Sequence, residues 1–480
     1  MKKALGMAVL AGSLWATGAN AGDGSFHYDA KTVEPATYYA AITNLANAVM
    51  FSGLGEDLIF SPYERDDWLR RSGFVTRPPM PDIAIVGPVY AAAEPDFIKT
   101  PDFSNPQTLK WNPRSFDRTL DPGAQAWTLL KITSPQFHQQ FHDLPENKIA
   151  ALMMLPQARM QASVLNGRLR NPDGVFAPLS PSGKFMPPAP RDQAAVLWAA
   201  SSFILAATTP KDDYWHKTYR DLTDPDKYRP LADNAFAALN KAPARTPGDR
   251  AITIEALGAY ALAVNDDGKR KLALEQAGVQ ARALMESGGK SLEDIALGIY
   301  GLVEAGRLLD DTSYIDAATQ RFGSNLMPLW DDTAGVFVDK DGRAEYSPIT
   351  VGSVVAALNA IRWFGPKDLA AEAQALYPRF FENAIVRSGL LRASPLDLVS
   401  KKYRDEQPAA NFASPLLPNP ADAGVASVFA SKVVYANGNW TVDDATFNTS
   451  AAMFLANMLA LKSDGLADPF LPEDQLARLR

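Results

Sequence analysis

The segment ALGAYALA at 256–263 returns as ALGIYGLV at 296–303, and each copy sits inside a longer helical pattern. AITIEALGAYALAV (251–264) is apolar nearly all round, the mark of a helix covered on most sides. GKRKLALEQAGVQARALMES (268–287) instead confines Leu274, Ala277, Ala281, Leu284 and Met285 to one stripe and carries charge elsewhere, the mark of an outer helix with a wet face. The alternation recurs. LEDIALGIYGLVEAGRLL (292–309) reads as buried and SYIDAATQRFGSNLM (313–327) as amphipathic; ITVGSVVAALNAIRWFG (349–365) reads as buried and DLAAEAQALYPRFFENAIV (368–386) as amphipathic. Helical hairpins at this spacing stack into a solenoid or close into a ring. Gly258, Gly298 and Gly352 recur in the buried members. A helical glycine costs about 1 kcal/mol relative to alanine, so each is expected where neighbouring backbones approach closely. Tyr260 and Tyr300, two residues beyond a glycine, lie on a different helix face. They are expected either to point into a central space or to be core residues with satisfied hydroxyls.

The pattern covers roughly 191–462, and NTSAAMFLANMLALK (448–462) would be the helix that closes a ring. On these segments the chain resembles the α/α-toroid proteins, a barrel of inner helices ringed by outer ones seen in many glycoside hydrolases and polysaccharide lyases. The resemblance rests on periodicity and hairpin spacing and does not reach a family within the fold. It implies a mainly α chain with an α/α toroid, a complete or incomplete ring of helical hairpins, over 122–480. Short β-hairpins in its loops and a binding site across its mouth would follow.

The region before it differs. One helix is read at about 35–50, after which ten prolines fall from Ser61 through Pro122 inclusive. Proline removes a donor and blocks the preceding turn, so this stretch cannot be continuous helix. Residues 22–121 are expected to form an N-terminal helix and a mostly irregular arm laid across the ring, with PDIAIVGPVY (81–90) as a short strand. Helices are expected again at about 122–142 and 146–166.

Residues 1–21 carry Lys2 and Lys3, an apolar run and then Ala19-Asn20-Ala21, the small-x-small pattern that a signal peptidase reads. Cleavage after Ala21 and export to a periplasm or beyond the cell are expected. No apolar run reaches the roughly 20 residues of a spanning helix. The sequence has no cysteine, which excludes disulfides, thiol catalysis and cysteine-ligated metals and leaves packing to supply stability. Loss of Lys2 and Lys3 would take 47 basic side chains to 45, against 54 acidic ones. Nucleic acid and anionic membranes want a basic surface, so neither is expected as a partner.

Acids near the starts of the buried helices are the first candidates for chemistry. Glu255 lies three residues before Gly258 and Asp294 four before Gly298. Paired carboxyls there would do general acid and base work on a glycosidic bond. TPGD (246–249) and SLED (291–294) also fit the capping box, which gives Asp294 a structural alternative and leaves Glu255 the better catalytic candidate. Loops supply a second set. NPDGVFAP (171–178) and WDDTAGVFVDKDGRAEYSP (330–348) share GVF, and the latter reads as a hairpin turning at Lys340-Asp341-Gly342. They bring Asp173, Trp330, Asp331, Asp332 and Tyr346 to a loop face, and GNWTVDDATF (438–447) adds Trp440, Asp443 and Asp444. Acids beside aromatic platforms suit sugar rings, while Asp-Gly turns are also ordinary structure.

Metal signals are thin. Asp339-x-Asp341-Gly342 has the start of a calcium loop, but its twelfth position is Thr350, and a turn explains it better. His138 and His142 in FHQQFHDL would share one helix face, as two metal ligands would, or form a plain helix surface. No nucleophile elbow, phosphate-cradling loop, haem-attachment motif or dinucleotide fingerprint is present, and no cofactor is expected. The expected function is that of an exported carbohydrate-active protein, a glycosidase or lyase acting on an oligosaccharide or polysaccharide. The alternative is a non-catalytic exported protein that binds a partner within an envelope complex.

Overall fold

The computed structural model describes residues 27–44, 52–59, 61–71, 84–100, 108–134, 145–211, 214–391, 429–459, 462–463, 466–467 and 470–479. The leader read at 1–21 and the His138/His142 pair lie outside these residues. In chain order, α1 (Val33–Asn44) precedes β1 (Gly55–Ile59) and α2 (Pro62–Arg71), and β2 (Ala84–Ala93) and β3 (Asp117–Leu120) lead into α3 (Pro122–Ile132). There follow α4 (Pro145–Arg168), α5 (Pro190–Thr208), α6 (Tyr214–Leu222), α7 (Arg229–Lys241), α8 (Pro247–Ala263), α9 (Asp267–Glu286), α10 (Leu292–Leu309) and α11 (Thr312–Arg321). Short strands β4 (Trp330–Asp331), β5 (Val336–Phe337) and β6 (Ala344–Tyr346) introduce α12 (Pro348–Phe364) and α13 (Lys367–Phe380). After β7 (Lys432–Ala436), β8 (Asn439–Asp444) and β9 (Phe447–Asn448) come α14 (Thr449–Met458) and the short α15 (Glu473–Leu476).

Local chemistry sets the helix starts. Proline, whose fixed φ suits the first turn and whose missing N–H would be unbonded there, opens α3, α5, α8 and α12. Asp121, Thr246, Ser291, Ser347 and Asn448 cap α3, α8, α10, α12 and α14 by accepting a backbone N–H within the first turn. Thr246 and Asp249 complete the capping box that TPGD announces. The expected alternation of buried and outer helices is present: α8, α10 and α12 are buried along nearly their whole length, whereas α9 and α11 bury one stripe.

Six helices neighbour one another in a closed cycle. α3 packs on α5, α5 on α8, α8 on α10, α10 on α12, α12 on α14, and α14 back on α3. The others lie outside it, α7 against α5, α9 against α8 and α10, α11 against α10, α13 against α12 and α4 against α3. Aromatic side chains tie the closure: Trp127 of α3 meets Trp198 of α5 and Phe454 of α14 edge-on, with ring centroids 5.8 and 5.2 Å apart. Asn457 of α14 donates to the Trp127 carbonyl at 2.8 Å.

The described residues before α3 include a sheet as well as helices, in place of the irregular arm expected from the sequence. β1, β2 and β3 form an antiparallel sheet in that order, and β9 also pairs with β2. Pro88 falls where the β1–β2 register shifts, between the Gly55–Val89 and Asp57–Val86 pairs, a place where a missing donor breaks no ladder bond. Gln125 of α3 binds both backbone groups of Val89, donating to its carbonyl at 2.6 Å and accepting from its N–H at 3.0 Å. α1 packs on α14, with Thr37 bonded to Tyr377 at 2.7 Å and Glu34 paired with Arg362. The 330–348 segment is also different from a single hairpin. β4 pairs with β5, the chain turns at Asp339–Arg343, and β6 pairs with β7 rather than with β5. Asp339 holds that turn by accepting from the N–H groups of Asp341 and Arg343, both at 2.9 Å, the structural role that the calcium-like spacing conceals.

Candidate functional site

The first turns of five cycle helices meet at one end of the cycle through polar side chains. A Cβ built on Gly123 of α3 would lie 2.4 Å from Ser450 Oγ of α14, 2.8 Å from Asp192 Oδ1 of α5 and 3.3 Å from Asp121 Oδ2. Only glycine leaves room for the three to converge. Arg191, beside Asp192, reaches Asp249 of α8 at 3.5 Å and Glu293 of α10 at 2.7 Å. Asp294 accepts the Gly248 N–H at 3.1 Å, joining α10 to α8. The belt is partly open to solvent: Asp121, Asp192, Ser450 and Glu293 are all half-buried.

Two of these acids stand out electrostatically. Burial, reinforced by the Asp121 and Asp249 carboxyls, raises Asp192 well above the ordinary carboxylate range, and the Arg191 guanidinium only partly offsets it. Burial also raises Asp121, against the amides of Ala124 and Gly123 and the Ser450 hydroxyl, which favour its ionised form. The charge of Asp121 thus disfavours ionisation of Asp192 beside it. Asp121 is held as the α3 cap, with the Ala124 N–H at 3.2 Å. Asp192, at the third position of α5, caps nothing. Neither acid was singled out from the sequence. The signal that would have found Asp192 is its position: Pro-x-Asp opens α5 at 190–192 as it opens α8 at 247–249.

The residues singled out from the sequence are distributed otherwise. Asp173 is exposed, and its carbonyl, not its carboxylate, binds Lys241 at 2.6 Å. Asp331 closes a turn by accepting from Thr333 and Ala334 N–H at 2.8 and 2.9 Å. Asp332 pairs with Arg379 and accepts the Trp330 indole N–H, each at 2.9 Å. Trp330 itself lies edge-on to Phe337 with Arg379 over its face. Tyr346 is fully buried and its hydroxyl donates to the Phe337 carbonyl at 2.7 Å. Trp440 packs on Tyr346 and Tyr435, and Asp443 pairs with Lys432 at 3.1 Å. The loops thus bring Tyr346 and Trp440 together and Trp330 and Asp332 together, while Asp173 stands apart. Tyr260 stacks on Phe236 of α7 and donates to Asp233 at 2.6 Å, the satisfied-core alternative.

Glu255 is not at the helix starts. It sits mid-way along α8, fully buried inside the cycle, facing Tyr300, Glu304 and Arg307 of α10. Its two oxygens and the Tyr300 hydroxyl have no well-formed hydrogen bond. Arg307 pairs with Glu304 at 2.5 Å. Burial, with Glu304 alongside, raises Glu255 well above its ordinary range. The C-terminal segment covers this cluster: the Leu471 N–H donates to Glu304 Oε2 at 3.2 Å and Arg307 donates to the Leu471 carbonyl at 2.7 Å. Among the described residues no cluster of three or more acids or histidines is arranged to hold a metal ion, and no helix is long and apolar enough to cross a membrane.

No family model matches the sequence, and no curated protein does. Solved structures with a similar chain course include a sugar epimerase from a ruminal bacterium, 10% identical, with a TM-score of 0.45, covering 82% of this chain and 95% of that one. A Bacteroides ovatus GH9 structure is 13% identical, with a TM-score of 0.42, covering 90% of this chain and 83% of that one.

Proposed function

We propose that the closed cycle of six helices with its outer partners is an α/α toroid, and that the chain is a carbohydrate-active protein whose site is the carboxyl belt at the helix N-termini. The observation that carries this reading is the Asp121–Asp192 pair. Both carboxyls lie against a single glycine, with Asp192 Oδ1 2.8 Å and Asp121 Oδ2 3.3 Å from where its Cβ would be, so two acids of neighbouring helices sit side by side as paired carboxyls do in enzymes that cleave glycosidic bonds. Asp192, whose protonated form is favoured by burial and the neighbouring Asp121 carboxyl and which is committed to no cap, serves as the acid toward a glycosidic oxygen. Asp121 is the paired carboxylate, and Arg191, Glu293 and Ser450 offer hydrogen bonds to sugar hydroxyls. With the leader read at 1–21, the protein acts outside the cytoplasm.

Purified protein offered a panel of oligosaccharides and polysaccharides is expected to turn over at least one of them. Asp192→Asn is expected to reduce that turnover by roughly a hundredfold or more while leaving the fold intact by circular dichroism. A folded Asp192→Asn chain with full turnover would remove the acid assignment. Failure to bind or convert any saccharide would remove the carbohydrate reading and favour the second one, a non-catalytic binding protein. That reading draws on the filled interior, where Trp127, Trp198 and Phe454 leave little exposed surface.

A further inference from the structure

The other end of the six-helix cycle holds a second polar cluster, covered by residues 470–476. Phe470 inserts between the rings of Tyr300, Trp363 and Phe364, with centroids at 5.4, 5.1 and 5.4 Å. Leu471 lies over Gly258, where a Cβ would come within 2.5 Å of its side chain. Both backbone polar groups of Leu471 are read by charged side chains, the N–H by Glu304 and the carbonyl by Arg307, and Arg307 also reaches Glu473 at 3.3 Å. Lys211 approaches Asp474 at 3.7 Å, and Leu476 is buried at the far end of the segment. An aromatic box for one side chain, a glycine-floored seat for the next and a carboxylate and guanidinium on one peptide unit are the kinds of contact that peptide-binding sites use, main-chain bonds for affinity and side-chain pockets for selectivity.

We infer that the C-terminal end of the helix cycle is a peptide-binding site, and that residues 470–479 are its ligand, held in cis. The ligand class is a segment presenting an aromatic residue followed by an aliphatic one, with acids two and three residues beyond the aliphatic residue to meet Arg307 and Lys211. Among the described residues, the segment's bonds to the cycle come from its own residues 470–476 and not from a sheet or helix shared with it, which separates this contact from an element built into the ring. Tethering supplies the ligand at an effective concentration in the millimolar range, so the site is filled in the intact chain. The inference is independent of the carbohydrate reading, since it uses none of the residues of the carboxyl belt.

The test uses the full chain and a fluorescent peptide of residues 470–479. Phe470→Ala weakens the tethered ligand and leaves every receptor residue in place. The labelled peptide is expected to bind the Phe470→Ala chain roughly a hundredfold more tightly than the wild-type chain, where the tether competes. Adding Arg307→Met to Phe470→Ala is expected to abolish that gain. Equal binding to wild type and Phe470→Ala, or none to a folded Phe470→Ala chain, would overturn the inference. So would unfolding of both Phe470→Ala and Leu471→Ala, which would show the segment to be an indispensable part of the core. A folded Leu471→Ala chain that captures the peptide as Phe470→Ala does would support it.

Discussion

At the scale of single residues, Glu255 carries the clearest prediction. Its carboxyl keeps its proton in the folded chain to a pH above the range in which the unfolded chain, near a pKa of about 4.3, gives its proton up. Folding therefore binds a proton between those two values, and stability present below that window is lost progressively as pH rises through it. Each pKa unit of separation is worth about 1.4 kcal/mol. Glu255→Gln, which needs no proton to be neutral, is expected to flatten the fall in stability above pH 5 and to be more stable than wild type at pH 8, measured by urea denaturation at both values. An unchanged pH profile would place the titration elsewhere. The sequence made Glu255 conspicuous because it precedes a glycine in a repeated motif. It could not show that the ninth residue of α8 points inward beneath the chain's own C-terminus. Asp192 was the reverse case, an acid in an unremarked first turn whose environment arises only when α3, α5 and α14 bring Asp121, Gly123 and Ser450 against it.

At the scale of elements, the repeated ALG motif was read correctly for periodicity and only partly for contact. A Cβ on Gly352 would meet Phe454 and the Leu455 backbone at 3.0–3.2 Å, a close approach of α12 to α14. A Cβ on Gly298, by contrast, would meet Arg321 at 3.4 Å and Leu284 at 3.9 Å, ordinary contacts. The tight crossing of α8 and α10 belongs to Gly301, where a Cβ would fall 2.6 Å from Ala251 Cβ and 2.7 Å from its Cα. Gly298→Ala is therefore expected to stabilise the chain by up to about 1 kcal/mol through helix propensity. Gly301→Ala, with better propensity but a clash into backbone, is expected to destabilise it by roughly 1–3 kcal/mol. Chemical denaturation of the pair checks both signs. Sequence spacing fixes that these glycines lie on buried helices; which face meets which neighbour depends on the rotation of each helix about its axis, and that is set by the packed partner.

At the scale of the whole molecule, closure distinguishes a cycle from an open stack. In an open stack each hairpin touches only its neighbours, and loss of one contact weakens one junction. Here α14 returns to α3, and Trp127 is shared by α3, α5 and α14 at the join. Trp127→Ala is expected to cost about 3–5 kcal/mol and to lower the single transition seen by far-ultraviolet circular dichroism and tryptophan fluorescence together. Two separated transitions would indicate a stack that unfolds piecewise. The sequence by itself determined the helical class, the alternation of covered and wet helices, and most helix starts, because hydrophobic period, proline and capping side chains act within a few residues of chain. Tertiary structure alone decided that β6 leaves its hairpin for β7, that α1 packs beside α14, and that the acids gather at one end while the C-terminal segment fills the other. Those outcomes join residues up to hundreds of positions apart, and a contact made across that distance has no local signature for the chain to carry.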